Sequence, residues 1–172
     1  MRTESSSRSP SRRQRTFTCS KKGDTLIGNV LANTLLGKTG NDWLEGDLGN
    51  DILKGSHGND GLYGGEGADQ ITGGKDRDRY YYTSASESTT ALRDTVKFAK
   101  EDRFVFSSFD TDATTEAQQK LSFIGKQAFS GIAGELRATR SVLEADTNGD
   151  GLADFAVNLR SNTLITANNL TL

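Results

Sequence analysis

The 172-residue sequence holds a single cysteine, Cys19, and a single histidine, His57. One cysteine forbids an internal disulfide, and one of each cannot complete the cysteine and histidine set of a zinc site. Any cross-link has to use harder donors than sulfur. No stretch approaches the roughly 18 apolar residues of a transmembrane helix, so no membrane span is expected. No basic segment precedes the roughly 7–15 apolar residues of a secretory signal. Arg12 and Arg13 evoke a twin-arginine signal, but the apolar run is missing there too. With 33% hydrophobic residues, no large apolar core is expected.

Charge and glycine are unevenly spread. Residues 1–18 carry five arginines against one glutamate, whereas residues 19–81 carry seven basic against ten acidic residues and residues 82–172 nine against twelve. The opening reads as a disordered basic tail, residues 1–18. It lacks the interleaved aromatics of a nucleic-acid binder, so no nucleic-acid partner is expected. Fourteen of the 19 glycines fall within residues 19–81, too many for a packed helical domain and too irregular for collagen.

That segment has a period of nine. Cut from Cys19, it reads CSKKGDTLI, GNVLANTLL, GKTGNDWLE, GDLGNDILK, GSHGNDGLY, GGEGADQIT and GGKDRDRYY, ending at Tyr81. The first column is glycine from Gly28 to Gly73 and fails only at Cys19. The fourth is Gly40, Gly49, Gly58 and Gly67. A side-chain oxygen stands in every sixth position (Asp24, Asn33, Asp42, Asp51, Asp60, Asp69, Asp78) and an apolar residue in every eighth (Leu26, Leu35, Leu44, Leu53, Leu62, Ile71, Tyr80).

One apolar residue per nine suits a short strand with a single inward side chain, followed by a six-residue turn. Glycine at the first and fourth positions permits positive φ, which lets carbonyl oxygens converge. Two nonapeptides make a coil of 18 residues, so Asp42 faces Asp60 and Asp51 faces Asp69 across coils about 4.8 Å apart. Two like charges at that spacing repel by about 1 kcal/mol in water and more in a dried turn. A hard cation with six to eight oxygen ligands reverses the sign, and Ca2+ tolerates irregular, carbonyl-rich geometry. The expected fold is all-β, a parallel β-roll capped by a C-terminal β-rich region, and the expected cofactor is Ca2+.

The motif GGxGxDxUx resembles the calcium-binding RTX repeat, and residues 28–81 are similar to an RTX β-roll. Leu121 to Thr139 and Asp146 to Leu159 resemble segments that follow the roll in serralysin-type secreted metalloproteases. The resemblance implies a roll over 19–81 and a serralysin-like cap and secretion region over 82–172. It also implies calcium-dependent folding, type I secretion and an extracellular location. The protease motif HExxHxxGxxH is absent and one histidine cannot supply it, so no enzyme activity is expected. The apolar ending Ala167 to Leu172 lacks the acidic residue usual before such a tail.

Calcium is expected between turns two repeats apart: Asp42 with the turn starting at Gly55, Asp51 with that at Gly64, and Asp60 with that at Gly73. The full candidate set is Asp24, Gly37, Gly40, Asp42, Gly46, Gly49, Asp51, Gly55, Gly58, Asp60, Gly64, Gly65, Gly67, Asp69, Gly73 and Asp78. A separate loop, Asp146, Asn148, Asp150 and Asp154, spells the first nine positions of an EF-hand-like loop but has Val157 where the bidentate glutamate belongs. It reads either as a further calcium site or as a hairpin tip.

Val96, Phe98, Phe104, Phe106, Phe155, Val157 and Leu159 alternate as strand residues of the cap. A short helix near 116–120 is expected, and a loop at Thr83 to Thr90. His57 reads as solvated, and Trp43 and Tyr63 as outer-surface residues. The alternatives to a secreted folding unit are a carbohydrate-binding accessory module, for which no basic or aromatic stripe is evident in the sequence, or a non-catalytic metalloprotease remnant. The chain is expected to be a monomer.

Overall fold

The computed structural model describes residues 15–19, 21–106, 109, 120–161 and 163–172. Residues 116–119 of the expected helix near 116–120 and the start of the basic tail, residues 1–14, lie outside them, and Lys120 is not helical. Fifteen strands follow in order: β1 (Arg15–Thr18), β2 (Thr25–Ile27), β3 (Asn33–Thr39), β4 (Trp43–Glu45), β5 (Ile52–His57), β6 (Gly61–Tyr63), β7 (Gln70–Lys75), β8 (Arg79–Tyr81), β9 (Thr95–Lys97), β10 (Arg103–Val105), β11 (Ser122–Gly125), β12 (Glu135–Ala138), β13 (Val142–Asp146), β14 (Phe155–Leu159) and β15 (Leu170–Thr171). They form two sheets, one ordered β1-β3-β5-β7-β9-β14-β13-β12-β11 and the other β15-β10-β8-β6-β4-β2.

The register follows from the period. Leu35 pairs with Leu53 and Leu53 with Ile71, so each parallel step along the first sheet is one 18-residue coil. Leu44 sits between Leu26 and Leu62 in the second sheet. The eighth column thus forms two facing stacks in which Leu35, Leu44, Leu53, Leu62, Ile71 and Tyr80 are all buried. The repeat strands of the second sheet, β2, β4, β6 and β8, have the expected three residues, while β3, β5 and β7 run on through the next three positions because Lys38, Ser56 and Gly74 pair across coils.

The coils extend past both ends of the glycine-rich repeats. Residues 15–18, expected as part of a disordered tail, are a strand, because Phe17 keeps the phase of the eighth column and pairs with Leu35. Beyond Tyr81, Val96 pairs with Ile71 and Phe104 with Tyr80. Here the step lengthens to 25 and 24 residues, since the segment from Tyr82 to Ser88 is inserted around a short 3-10 turn, Ala85–Glu87. Buried Glu87 pins that insert by accepting hydrogen bonds from the Thr83 backbone N–H (2.9 Å) and the Tyr63 hydroxyl (2.7 Å).

A β-rich region then covers the last coil. β14 joins β9 in parallel, β13 and β12 follow antiparallel, and Leu170 of β15 pairs with Phe104. Tyr82, Phe104, Phe106, Phe109 and Phe155 pack ring against ring at that end, which replaces the thin leucine stack with a broad aromatic plug. Every alternating cap residue expected from the sequence, Val96 through Leu159, is buried.

Candidate metal centre

The sixth-column aspartates form two ladders. On one edge the backbone N–H of Asp24 donates to Asp42 Oδ1 (2.8 Å), that of Asp42 to Asp60 Oδ1 (2.8 Å), and that of Asp60 to Asp78 Oδ1 (3.0 Å). On the other, Asn33 N–H donates to Asp51 Oδ1 (2.6 Å) and Asp51 N–H to Asp69 Oδ1 (2.7 Å). One oxygen of each carboxylate is therefore spent on holding the coils in register. The other, Oδ2 of Asp42, Asp51, Asp60, Asp69 and Asp78, is buried without a hydrogen-bond partner among the described residues.

Those free oxygens point where the glycines leave room. A Cβ added at Gly37 would fall 2.6 Å from Asp42 Oδ2 and 2.8 Å from the Gly55 carbonyl oxygen. At Gly55 it would meet Asp60 Oδ2 and the Gly73 carbonyl, and at Gly46 it would meet Asp51 Oδ2 and the Gly64 carbonyl. The structure thus brings together the three aspartate and turn pairs read from the sequence. At Gly64 and Gly73 the neighbours are Asp69 Oδ2 and Asp78 Oδ2.

The first-column glycines act differently from expectation. None of Gly28 to Gly73 in that column has positive φ; glycine is needed there because any side chain would enter the carboxylate cradle. Positive φ falls instead at the fourth column, Gly40, Gly49, Gly58 and Gly67, and at the second, Lys38, Asp47, Ser56, Gly65 and Gly74. For the three non-glycine residues of the second column this backbone is unfavourable by about 1 kcal/mol or more each.

A buried charged oxygen with no partner costs at least about 1–3 kcal/mol. Five of them weigh about as much as the 5–15 kcal/mol stability of a typical domain. Either protons or cations must compensate. Without a counter-charge, burial pushes the carboxyls of Asp51 and Asp60 up from 3.8 to about 6, and that of Asp78 to about 7. Asp69, with Asp94 adding repulsion, rises to about 8, and Asp42 is raised as well. The compensating donor set is all oxygen, carboxylate and carbonyl, which fits a hard divalent cation.

The ladders have two further rungs that the nonapeptide search missed. Asp69 N–H donates to Asp94 Oδ1 (2.8 Å), and Asp78 N–H to Asp102 Oδ1 (3.1 Å). Here the second oxygens are satisfied: the Tyr82 hydroxyl donates to Asp94 Oδ2 (2.8 Å), and Asp102 Oδ2 accepts from the Tyr80 hydroxyl (3.1 Å) and the Ala99 N–H (2.8 Å). Phenols stand where the other rungs have an open oxygen. The surviving signal was Asp94-Thr95-Val96 and Asp102-Arg103-Phe104, the sixth-to-eighth-column triplet without glycines. Tyr82→Phe should destabilise the calcium-loaded chain by about 1–3 kcal/mol in urea unfolding, because it strands Asp94 Oδ2. An unchanged midpoint would show that the phenol does not hold that oxygen.

At the opposite end, Asn33 Oδ1 accepts from Asn29 N–H (2.8 Å) and leaves its buried amide nitrogen unpartnered, a donor where the other rungs offer an acceptor. Asp24 is half-buried beside Cys19 and Asp42. Burial, then the charges of Asp42, Asp24 and Asp60, push the Cys19 thiol up to about 11.

The second candidate loop is the tip of the β13–β14 hairpin, and its carboxylates are already engaged. Asp146 accepts from Gly149 N–H (2.7 Å) and Gly151 N–H (2.9 Å), and Asp154 from the Thr147 N–H (2.8 Å) and hydroxyl (2.7 Å) and the Asn148 amide (3.1 Å). Asn148 and Asp150 accept from the N–H groups of Asp150 and Leu152. These oxygens close the turn on itself, in contrast to the open Oδ2 atoms of the roll. His57 is exposed, and Trp43 and Tyr63 are half-buried on the outer face of the second sheet, as expected.

Fold and ladders together define a parallel β-roll with cation-binding edges. Residues 27–62 and 46–80 match the RTX calcium-binding nonapeptide repeat (4 copies), and these repeats bind Ca2+ without a catalytic role. The match ends before the segments that resemble serralysin. No curated protein sequence matches the chain. Among solved structures, the chain is similar to the AlgE6R3 subunit of the Azotobacter vinelandii mannuronan C5-epimerase, with 22% identity, a TM-score of 0.46, and coverage of 89% of this chain and 80% of that one. It is also similar to the AlgE6R2 subunit, with 20% identity, a TM-score of 0.42, and coverage of 93% and 92%. Among the described residues no helix is long and apolar enough to cross a membrane.

Proposed function

We propose that the chain is a calcium-dependent folding unit that acts without catalysis, exported unfolded by a type I route and closing outside the cell. The observation that carries this reading is the run of five buried, partnerless Oδ2 atoms, each next to a first-column glycine. Asp42, Asp51, Asp60, Asp69 and Asp78 are the proposed carboxylate ligands, with the Gly55, Gly64 and Gly73 carbonyls beside them and Asp24 at the margin. Bound calcium supplies the positive charge that lets neighbouring carboxylates ionise together. Where calcium is scarce, the same carboxylates repel and keep the turns open. Where it is plentiful, each site contributes RT ln(1 + [L]/Kd), about 2.7 kcal/mol at a hundredfold excess. The serralysin-like features of residues 82–172 support export by resemblance.

The test is a calcium titration of the full chain, followed by circular dichroism, against Asp42→Asn with Asp60→Asn. Asparagine keeps an acceptor for the backbone N–H and removes the charge. A loss of about 1.4 kcal/mol per ligand shifts the calcium midpoint about tenfold for each site. Variants that titrate like the parent would show that these aspartates are not ligands.

One observation favours a second reading. Trp43, Tyr63 and Tyr81 share the outer face of the second sheet with Arg79, Arg103 and Glu45, the last accepting from Trp43 Nε1 (3.2 Å), and Trp43 lies 4.9 Å from Tyr81, centroid to centroid. Such an aromatic surface suits stacking on a sugar ring, as a carbohydrate-binding accessory module would require. Retardation in affinity electrophoresis, lost on Trp43→Ala, distinguishes it.

A further inference from the structure

We propose that Cys19, Asp24 and Asp42 form a site for a thiophilic divalent cation, of the zinc and cadmium class, at the first turn of the roll. Cys19 takes the first position of its repeat, where the six following repeats carry glycine. In those repeats a side chain would press into the sixth-column oxygen, and at Gly28, Gly37, Gly46 and Gly55 also into the carbonyl of the next coil. Here a side chain is present. Its sulfur, one oxygen of Asp24 and one oxygen of Asp42 all lie within 4.8 Å of one another.

Two of the three donors are buried and Asp24 is half-buried. Cys19 is 6% and Asp42 3% exposed, and Asp42 keeps a buried oxygen without a partner. Cys19 is fixed by its own N–H, which donates to the Leu36 carbonyl (2.9 Å), and by the neighbouring strand β1 paired on β3. The donor set therefore does not depend on a frayed end.

The chemistry of these donors differs from that of the later rungs. Calcium takes six to eight oxygens, and a sulfur in the cradle displaces at least one. A zinc-type ion needs only four ligands and accepts thiolate and carboxylate together, leaving a fourth place for water or a carbonyl. On binding, the Sγ–H bond breaks, the sulfur pair forms the metal bond, and the proton leaves to solvent. One cysteine and one histidine do not complete a zinc site, but folding brings two carboxylates to the cysteine. Through Asp42 alone, the proposal rests on the reading of the roll as a cation-binding stack.

Asp42 is also the proposed calcium ligand at the Gly55 turn, so its carboxylate would be shared between the two ions, and cobalt(II), the optical probe, is titrated into the full chain folded in saturating calcium. The expected result is a thiolate-to-cobalt charge-transfer absorption that saturates at one equivalent and is displaced by zinc. It should vanish in Cys19→Gly, which restores the column's glycine and so preserves the fold, and weaken at least tenfold in Asp24→Asn. A calcium-folded chain with no such absorption, or with equal cobalt affinity in Cys19→Gly, overturns the proposal and leaves the calcium reading intact. Absorption in a chain whose circular dichroism ignores calcium would keep this site and sink the calcium reading instead.

Discussion

Chelation at neutral pH opens the roll: with calcium removed, far-UV circular dichroism loses its β signal and protease cuts between residues 25 and 81. The expectation follows from one comparison of magnitudes. Each coil buries only two eighth-column side chains, worth about 1.5–3 kcal/mol apiece, such as Leu44 with Leu53. The same coil presents two carboxylates whose second oxygens have no partner among the described residues. Stranding them as charges removes an amount comparable to the apolar gain. Residues 135–159 lack this dependence, since Glu135, Asp146 and Asp154 are met by protein donors. Cleavage should therefore concentrate in the repeats and spare the β12–β14 meander. A chain that resists protease equally with and without chelator would end the calcium-dependent account.

Acid should partly stand in for the cation. The carboxyls of Asp51, Asp60, Asp69 and Asp78 lie near 6, 6, 8 and 7 in the cation-free fold, against 3.8 for a free aspartate. A group whose pKa is higher folded than unfolded binds more protons folded throughout the interval between the two values. Stability of the cation-free chain therefore falls as pH rises from about 4 to about 8. In chelator, the β signal should return on acidification from pH 8 toward pH 5, and calcium binding at pH 7 should release protons. Asp69→Asn, which removes the most displaced group, should flatten the upper part of that dependence. A cation-free chain that becomes less structured over the same interval would mean that the buried oxygens are charged and compensated some other way.

The period of nine was legible because side chains carry it. The eighth column must be apolar to fill the gap between the sheets, and the sixth must carry a side-chain oxygen to tie one coil to the next. Backbone-borne features left less trace. Lys38, Asp47 and Ser56 hold positive φ although nothing in their identity announces it. The first-column glycines were legible as necessary but not for the right reason, since the need is steric clearance for Asp Oδ2 and not a special φ. Asp94 and Asp102 were hidden because the insert at Tyr82 to Ser88 breaks the phase and their turns have no glycine. β1 was hidden because Phe17 alone keeps the phase, with Arg15 in the sixth-column place. The EF-hand-like loop shows the converse: Asp, Asn and Gly at ligand spacing also make a turn that satisfies itself.

The tyrosine-held rungs give the stack a direction. A linear array in which each coil touches only its neighbours can begin to order wherever a first coil is already stable. Asp94 and Asp102 come closer to that condition than the other rungs, because Tyr82 and Tyr80 donate to their second oxygens from within the chain, although burial still raises both carboxyls. Each earlier coil then finds a finished template to dock against, so ordering propagates from the aromatic end toward residue 15, one ion-dependent layer at a time.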